Sequence, residues 1–528
     1  MQSLFRLVHN QFHPQFLTSL ILILFLGCAH RPARYFPERP LEPFSESGNA
    51  EMPEEWWTAF EDPALNAHVA QALGENFNLS SALQRLRAAR AVARREASDL
   101  FPHVNGLVTT DSALGTGRDR TAIGWGLDAS YQVDLWGQIQ SRVDAAELRA
   151  SATGADYQAV ALTLAAEVCR TWFALIESYA QLELLAAQVE TNRNGLKTQE
   201  LRFGRGFVRS PDVLRQRQLV ESTLEQAVVV RGRIEVLEHQ LAVLQGELPQ
   251  SARYEPGSNL PPLRPLPNTG LPSELLQRRP DVRRDYLSFL AADQDLVSAV
   301  TAQYPRLNLT GALLNTGETP KFGFSDWFIF LGSQLVTPLI DGGQRRAEID
   351  RTEAVTQQRF DDYQETLLIA FQEVENSLAL EKYQHERMAL LASQDKLAKQ
   401  SADQLVQEYL IGDAEYLDVL SQVQSQQRLQ REILTAKLDL ILIRIGLYLA
   451  LAGDIEIPPR GLVGVTPGLV GVTPAGDILE NEILGSDPIT IDSELEFEKL
   501  PPLEAPLPAP ADPPNPPVEP IPEISRDE

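Results

Sequence analysis

The sequence predicts a mainly α-helical protein with four β-strands, assembled from two copies of one structural unit. Three observations predict it. Apolar positions recur in a coiled-coil rhythm over stretches far longer than an ordinary globular helix. Two segments interrupt that rhythm with β-type alternation, one after Phe101-Pro102 and one after Tyr304-Pro305. Finally, short anchors repeat at one offset of 206 residues. These are Trp136-Gly137-Gln138 with Gly342-Gly343-Gln344, Phe203-Gly204-Arg205-Gly206 with Tyr409-Leu410-Ile411-Gly412, and Asp212-Val213-Leu214 with Asp418-Val419-Leu420. The aromatic–proline pairs are offset by 203 instead, so the two β segments differ in length by three residues.

The chain opens with a targeting segment, residues 1–27. Arg6 precedes an apolar run from Leu17 to Leu26, too short for a mature membrane helix but suited to a signal peptide. The run ends in Leu26-Gly27-Cys28, which resembles the lipobox of bacterial lipoproteins, with Phe25 where a leucine is usual. The resemblance implies lipidation at Cys28, and Ala29 in place of an aspartate fits outer-membrane sorting. An ordinary signal peptide with an incidental cysteine is the other reading. Residues 28–62 form an extended leader, lipidated at Cys28 on the first reading and closing on Trp56-Trp57 and Phe60.

The first repeat covers residues 63–248. Asp62 caps a helix that begins at Pro63 and breaks at Gly74, and a second helix follows from Asn78 to Leu100. A β-hairpin occupies about 104–135, around the Gly-rich loop Leu114 to Gly117. A helix of about 65 residues then spans about 100 Å. Its seam carries Leu182, Leu185, Val189, Leu196 and Phe203, with Asn192 and Gln199 at polar positions that weaken the seam and fix its register. The chain turns near 203–211 and returns as a helix to Leu248 through Val230, Ile234, Leu237, Leu241 and Leu244. Residues 249–272 are a Pro-rich linker. The second repeat covers 273–453, with its hairpin at about 306–340 and its turn at 409–417, and it closes on Leu434, Leu438, Ile441, Ile445 and Tyr448. Residues 454–528 form a disordered tail that repeats Gly-Leu-Val-Gly-Val-Thr-Pro and then turns acidic and Pro-rich.

The two hairpins supply four strands, which cannot close a barrel, and open edges are not tolerated in hydrocarbon. Strands pairing between chains solve this: three protomers give 12 strands, wide enough for a lumen. The competing reading is a soluble β cap on a coiled-coil spacer. Trp125, Tyr131, Trp327, Phe328 and Phe330 suit either an aromatic membrane girdle or a small soluble core.

Bulk composition narrows the function. Hydrophobic residues make up 43% of the 528, enough for a sizeable core. The net charge of −26 disfavours a nucleic-acid partner, since no basic stripe exists to meet phosphates. Residues 477–528 alone hold 14 acidic residues against Lys499 and Arg526. With two cysteines there is no disulfide framework, and Cys169, inside a helical pattern, reads as a small buried residue. The seven scattered histidines and the Glu-rich helix faces offer no paired catalytic groups, no metal spacing and no cofactor cradle, which argues against an enzyme.

Four stretches carry a family resemblance: Trp56 to Pro63, Tyr131 to Gly137, Leu271 to Asp281 and Pro338 to Gly343. On these the chain resembles the TolC-like outer-membrane efflux proteins, and among them the NodT-type lipoproteins. The resemblance implies a homotrimer with two-repeat long α-helical hairpins forming a periplasmic tunnel under a 12-strand transmembrane barrel. It implies docking on a periplasmic adaptor protein and an inner-membrane pump, with outer-membrane lipid around the barrel. The cargo it implies is small molecules such as drugs, toxic compounds or metals. By position, Phe203, Gly206, Tyr409 and Gly412 match the adaptor-contact tips, and Asp212, Asp418 and Tyr409 match the periplasmic aperture. Ala414 and Ser421 stand where some members carry further charged residues. Two readings fit the aspartates, a ring of like charges narrowing a pore or plain helix caps. Two also fit the glycine turns, docking tips or structural reversals.

Overall fold

The computed structural model describes residues 43–113, 120–251, 253–270, 278–317 and 327–451, all within one compact unit. Cys28 and the signal peptide, the loop Leu114 to Gly117, and the tail 454–528 lie outside the described residues.

Helices α1 (Pro63–Glu75) and α2 (Phe77–Ala97) lead to strands β1 (His103–Ala113) and β2 (Arg120–Val133). Helix α3 (Gln138–Gly204) runs for 67 residues, and α4 (Ser210–Leu244) returns. The second repeat follows as α5 (Pro280–Thr301), β3 (Arg306–Gly317), β4 (Trp327–Val336), α6 (Gln344–Ile411) and α7 (Tyr416–Leu451). The 206-residue offset holds at both long-helix starts, where Gly137 and Gly343 adopt φ of 72° and 90° so that the strand can swing into the helix. Within the sheets, His103 pairs with Ser130 and Arg306 pairs with Val336.

The Asp62 side chain accepts from the Ala64 and Leu65 amides and caps α1. Its other oxygen accepts from Trp172 Nε1 at 2.7 Å, which ties α1 to α3. Around it lies the main core: Trp56, Trp57 and Phe60 pack with Phe173, Trp172, Leu241, Ile445 and Tyr448. Cys169 is fully buried there, and desolvation pushes its thiol well above the ordinary value. Helix α3 holds an apolar stretch long enough to cross a membrane, but 67% of that stretch is buried in the chain's own core.

The linker crosses both returning helices and is clamped at positions related by the repeat. Glu238 on α4 accepts from the Tyr254 amide, and Arg444 on α7 donates to the Arg264 and Pro265 carbonyls. One correction concerns α4. The apolar rhythm predicts a helix to Leu248, but α4 stops at Leu244 because Gly246, at φ 79°, lets Glu247 N donate back to the Ala242 carbonyl.

The hairpins pair with each other through β2 and β3, giving an antiparallel sheet in the order β1-β2-β3-β4. Strands β1 and β4 are its two edges. Register puts Val104, Val108, Trp125, Leu127, Tyr131, Leu309, Leu313, Ile329, Leu331 and Leu335 on one face. The other face carries Asn105, Thr109, Asp128, Ser130, Gln132, Asn308, Thr310 and Gln334. Trp125, Trp327 and Tyr131 share the apolar face, the two tryptophans edge to face at 4.9 Å. Phe328 and Phe330, grouped with them on the sequence, point to the polar face instead.

Candidate functional site

The far ends of the helical hairpins bring most of the sequence-predicted residues together. Both turns are built alike. In the first, Gly206 at φ 76° lets its own amide donate to the Phe203 carbonyl while Phe207 N donates to the Arg202 carbonyl. In the second, Gly412 at φ 94° donates to the Tyr409 carbonyl and Asp413 N donates to the Glu408 carbonyl. This doubly bonded cap needs a left-handed residue, which glycine supplies without strain. Phe203 and Phe207 on one tip, and Leu410 and Ile411 on the other, are exposed.

Tyr409 does not point away from the protein. Its hydroxyl donates to Gln199 Oε1 at 3.1 Å, and the Arg202 guanidinium lies over its ring, 4.6 Å from the centroid. Tyr416, the first residue of α7, stands 5.4 Å from Tyr409 ring to ring and donates to Gln216 on α4. Burial raises the Tyr416 phenol above its ordinary value, and Tyr409 and Asp212 push it the same way, so Tyr416 stays a protonated donor. These groups line a cavity of about 200 Å³ between the two hairpins, together with Val406, Val419 and Val423.

The two aspartates differ. Asp212 is buried, accepts from the Arg209 amide and pairs with Arg215 at 3.4 Å, so its carboxylate is engaged in capping α4. Asp418 is exposed on the first turn of α7. Above them the seam residue Asn192 exchanges hydrogen bonds with Gln427 of α7 at 2.9 and 3.3 Å and donates to Thr223 of α4 at 3.0 Å. Gln188 donates to the Gln427 carbonyl and accepts from Arg431. The hairpins therefore meet through polar groups near the tips and through apolar groups near the main core. Sequence reading missed Arg202, Gln216 and Tyr416. A faint signal existed for Tyr416, an aromatic just beyond the second glycine turn.

A family model described as outer membrane efflux protein matches residues 69–247 and 271–453. The chain belongs to that family. The two matched stretches of this efflux protein fall on its two structural repeats. It is 28% identical over 427 residues to the pyoverdine export outer membrane protein OpmQ of Pseudomonas aeruginosa, across 77% of this chain and 89% of that protein. It is 26% identical over 424 residues to nodulation protein T of Rhizobium leguminosarum bv. trifolii, across 77% and 90%. Among solved structures, the outer-membrane channel OprN superposes with a TM-score of 0.76 at 25% identity, over 81% of this efflux protein and 99% of that chain.

Proposed function

We propose that three copies of this outer-membrane efflux protein close into a passive exit duct, a 12-strand barrel above a periplasmic helical tunnel. A periplasmic adaptor and an inner-membrane pump feed small molecules into it. The observation that carries this reading is the sheet. It has one largely apolar face and one mixed face that holds most of its polar side chains, which suits lipid outside and water inside, and two edge strands that a lone chain leaves open.

The helices support the same closure. On α4, Val229, Val236 and Val243 recur every seven residues, all exposed. On α6, Tyr383, Leu390 and Leu397 do the same. Arg233–Glu177, Thr435 donating to Glu177, and Gln384 donating to the Ala436 carbonyl fix the heights of these helices across α3 and α7. Val236 and Val229 thus stand level with Tyr383 and Leu390, on opposite margins of the chain. Two different margins make a head-to-tail contact, which gives a ring where the rotation between copies closes.

The exposed tips around Phe203, Gly206 and Gly412 suit adaptor docking, with Phe207, Leu410 and Ile411 adding apolar area. At the aperture, Asp418 is the residue free to form a charged ring, Asp212 maintains the turn, and Tyr409 holds the second hairpin against the first. Lipidation at Cys28 fits the dimensions. Phe44 packs on Phe371, 27 residues along α6 from Gln344, or about 40 Å. The 16-residue separation of Cys28 from Phe44 allows a reach of at most roughly 54 Å, which exceeds the distance to the membrane end of α6.

Purification in detergent with mass measurement, followed by planar-bilayer recording, tests the duct. A trimer that conducts is expected, with Asp418→Ala reducing cation selectivity and Asp212→Ala leaving it unchanged. A non-conducting monomer would replace the duct with a structural lipoprotein spacer.

A further inference from the structure

The internal repeat predicts not only that copies join but where. Inside the chain, the joint between repeats is visible: β2 pairs with β3, with Val133 opposite Leu307, Tyr131 opposite Leu309 and Ala129 opposite Gly311. Just below it, Trp136 Nε1 donates to the Pro305 carbonyl at 2.8 Å and its ring lies 5.1 Å from Tyr304. Strand β2 maps onto β4 by 206 residues and β1 maps onto β3 by 203, as the His103–Ser130 and Arg306–Val336 pairs require. A ring of copies repeats this joint between β4 of one chain and β1 of the next, because each unit meets an equivalent unit on each side.

From this we infer the register of the joint between copies: Leu339 opposite Val104, Leu335 opposite Val108, Ser333 opposite Thr110, and Val336 opposite Leu107. By the same offsets Gly342 falls where Trp136 stands, and Phe101 of the next copy falls where Tyr304 stands within the chain. This inference rests on the ring proposed above and adds its residue-level alignment.

The side chains fit this register independently of the repeat. Leu339 is 88% exposed and Leu335 63%, while Val104 is 62% and Val108 74%, so four uncovered aliphatic residues become two directly opposed pairs. Ser333 meets Thr110, polar against polar. A slip of two residues sets Leu335 against Gly106 or Thr110 and breaks both aliphatic pairs. A slip of one residue turns the apolar face of one chain toward the polar face of the next. The occupant is therefore a second copy of this chain, offering the opposite edge.

Cysteine pairs test it. Strands β1 and β4 of one chain are separated by β2 and β3, roughly 14 Å across three strand spacings, far beyond disulfide reach. A disulfide between them therefore links two chains. Full-length protein carrying Leu335→Cys with Val108→Cys, or Gln334→Cys with Thr109→Cys, should give covalent dimers and trimers on non-reducing denaturing gels after mild oxidation. Leu335→Cys paired with Gly106→Cys or with Thr110→Cys should link at least tenfold less. Preferential linking in either shifted pair overturns the register while leaving the ring intact. A native mass showing trimers with no linking in any pair overturns the β4–β1 joint itself. Monomers throughout would instead remove the ring on which the inference rests.

Discussion

Arg444 is 2% exposed, and both its outer nitrogen and Nε donate to Glu381, itself nearly buried. Burial works against that charge, yet the Glu381 bonds outweigh it and hold the guanidinium above its usual value. Glu381→Ala leaves a buried cation without its counter-ion and should cost about 3–5 kcal/mol, seen as a lowered urea midpoint in detergent. His68 gives a pH signature. It is half-buried, its ring lies tilted 4.6 Å from that of Trp172, and its Nδ1 lies 2.8 Å from Gln245 Nε2, which fits an accepting neutral ring. Desolvation lowers its pKa below 6.5, with Asp62 and Glu247 opposing that less strongly. Above pH 6.5 the ring is neutral folded and unfolded, so nothing is lost. As pH falls below 6.5 the unfolded chain takes up the proton first, and stability drops. Tm should therefore decline between pH 7 and 5, and His68→Gln should flatten that decline.

The helical hairpins show how much of an element its sequence declares. The two turns were legible because a left-handed cap all but demands glycine, and Gly206 and Gly412 sit at one offset. Gly412→Ala meets no neighbouring atom within 4 Å, so its cost is the backbone conformation alone, roughly 1–2 kcal/mol. Hydrogen exchange should accelerate at the second tip, residues 405–420, and stay unchanged near the main core. Asn192 and Gln199 were legible as polar interruptions of the seam, but their partners were not. Gln427 lies 235 residues away, on the other hairpin, and no local rhythm encodes which helix faces which. The same holds for Tyr416 and Gln216, which become neighbours only once the hairpins align. Asn192→Leu strands the Gln427 amide and should cost about 1–3 kcal/mol. Asn192→Leu with Gln427→Leu should recover most of it, because no buried polar group is then left unpaired. A double mutant as unstable as the single one would show that the seam depends on shape rather than hydrogen bonding.

For the whole molecule, two strands per repeat imply shared walls, yet only the register reveals that the strand faces divide into apolar and polar. The helical margins follow the same logic. Val229 and Val236 on α4 and Tyr383 and Leu390 on α6 stay exposed in one chain, at matched heights, on margins that a ring brings together. Each ring contains three such joints, so one substitution acts three times. Val236→Glu places a carboxylate in an apolar seam opposite Tyr383, where desolvating an unpaired charge costs several kcal/mol. In the single chain the same position is 63% exposed, so the fold of each protomer is unaffected. The expected outcome is loss of trimer by native mass measurement in detergent, with helical circular dichroism unchanged. Glu235→Ala, one residue away on the same helix, serves as the surface control and should keep the trimer. If Val236→Glu trimers persist at wild-type abundance, the α4 and α6 margins do not meet, and closure would rest on the strands alone.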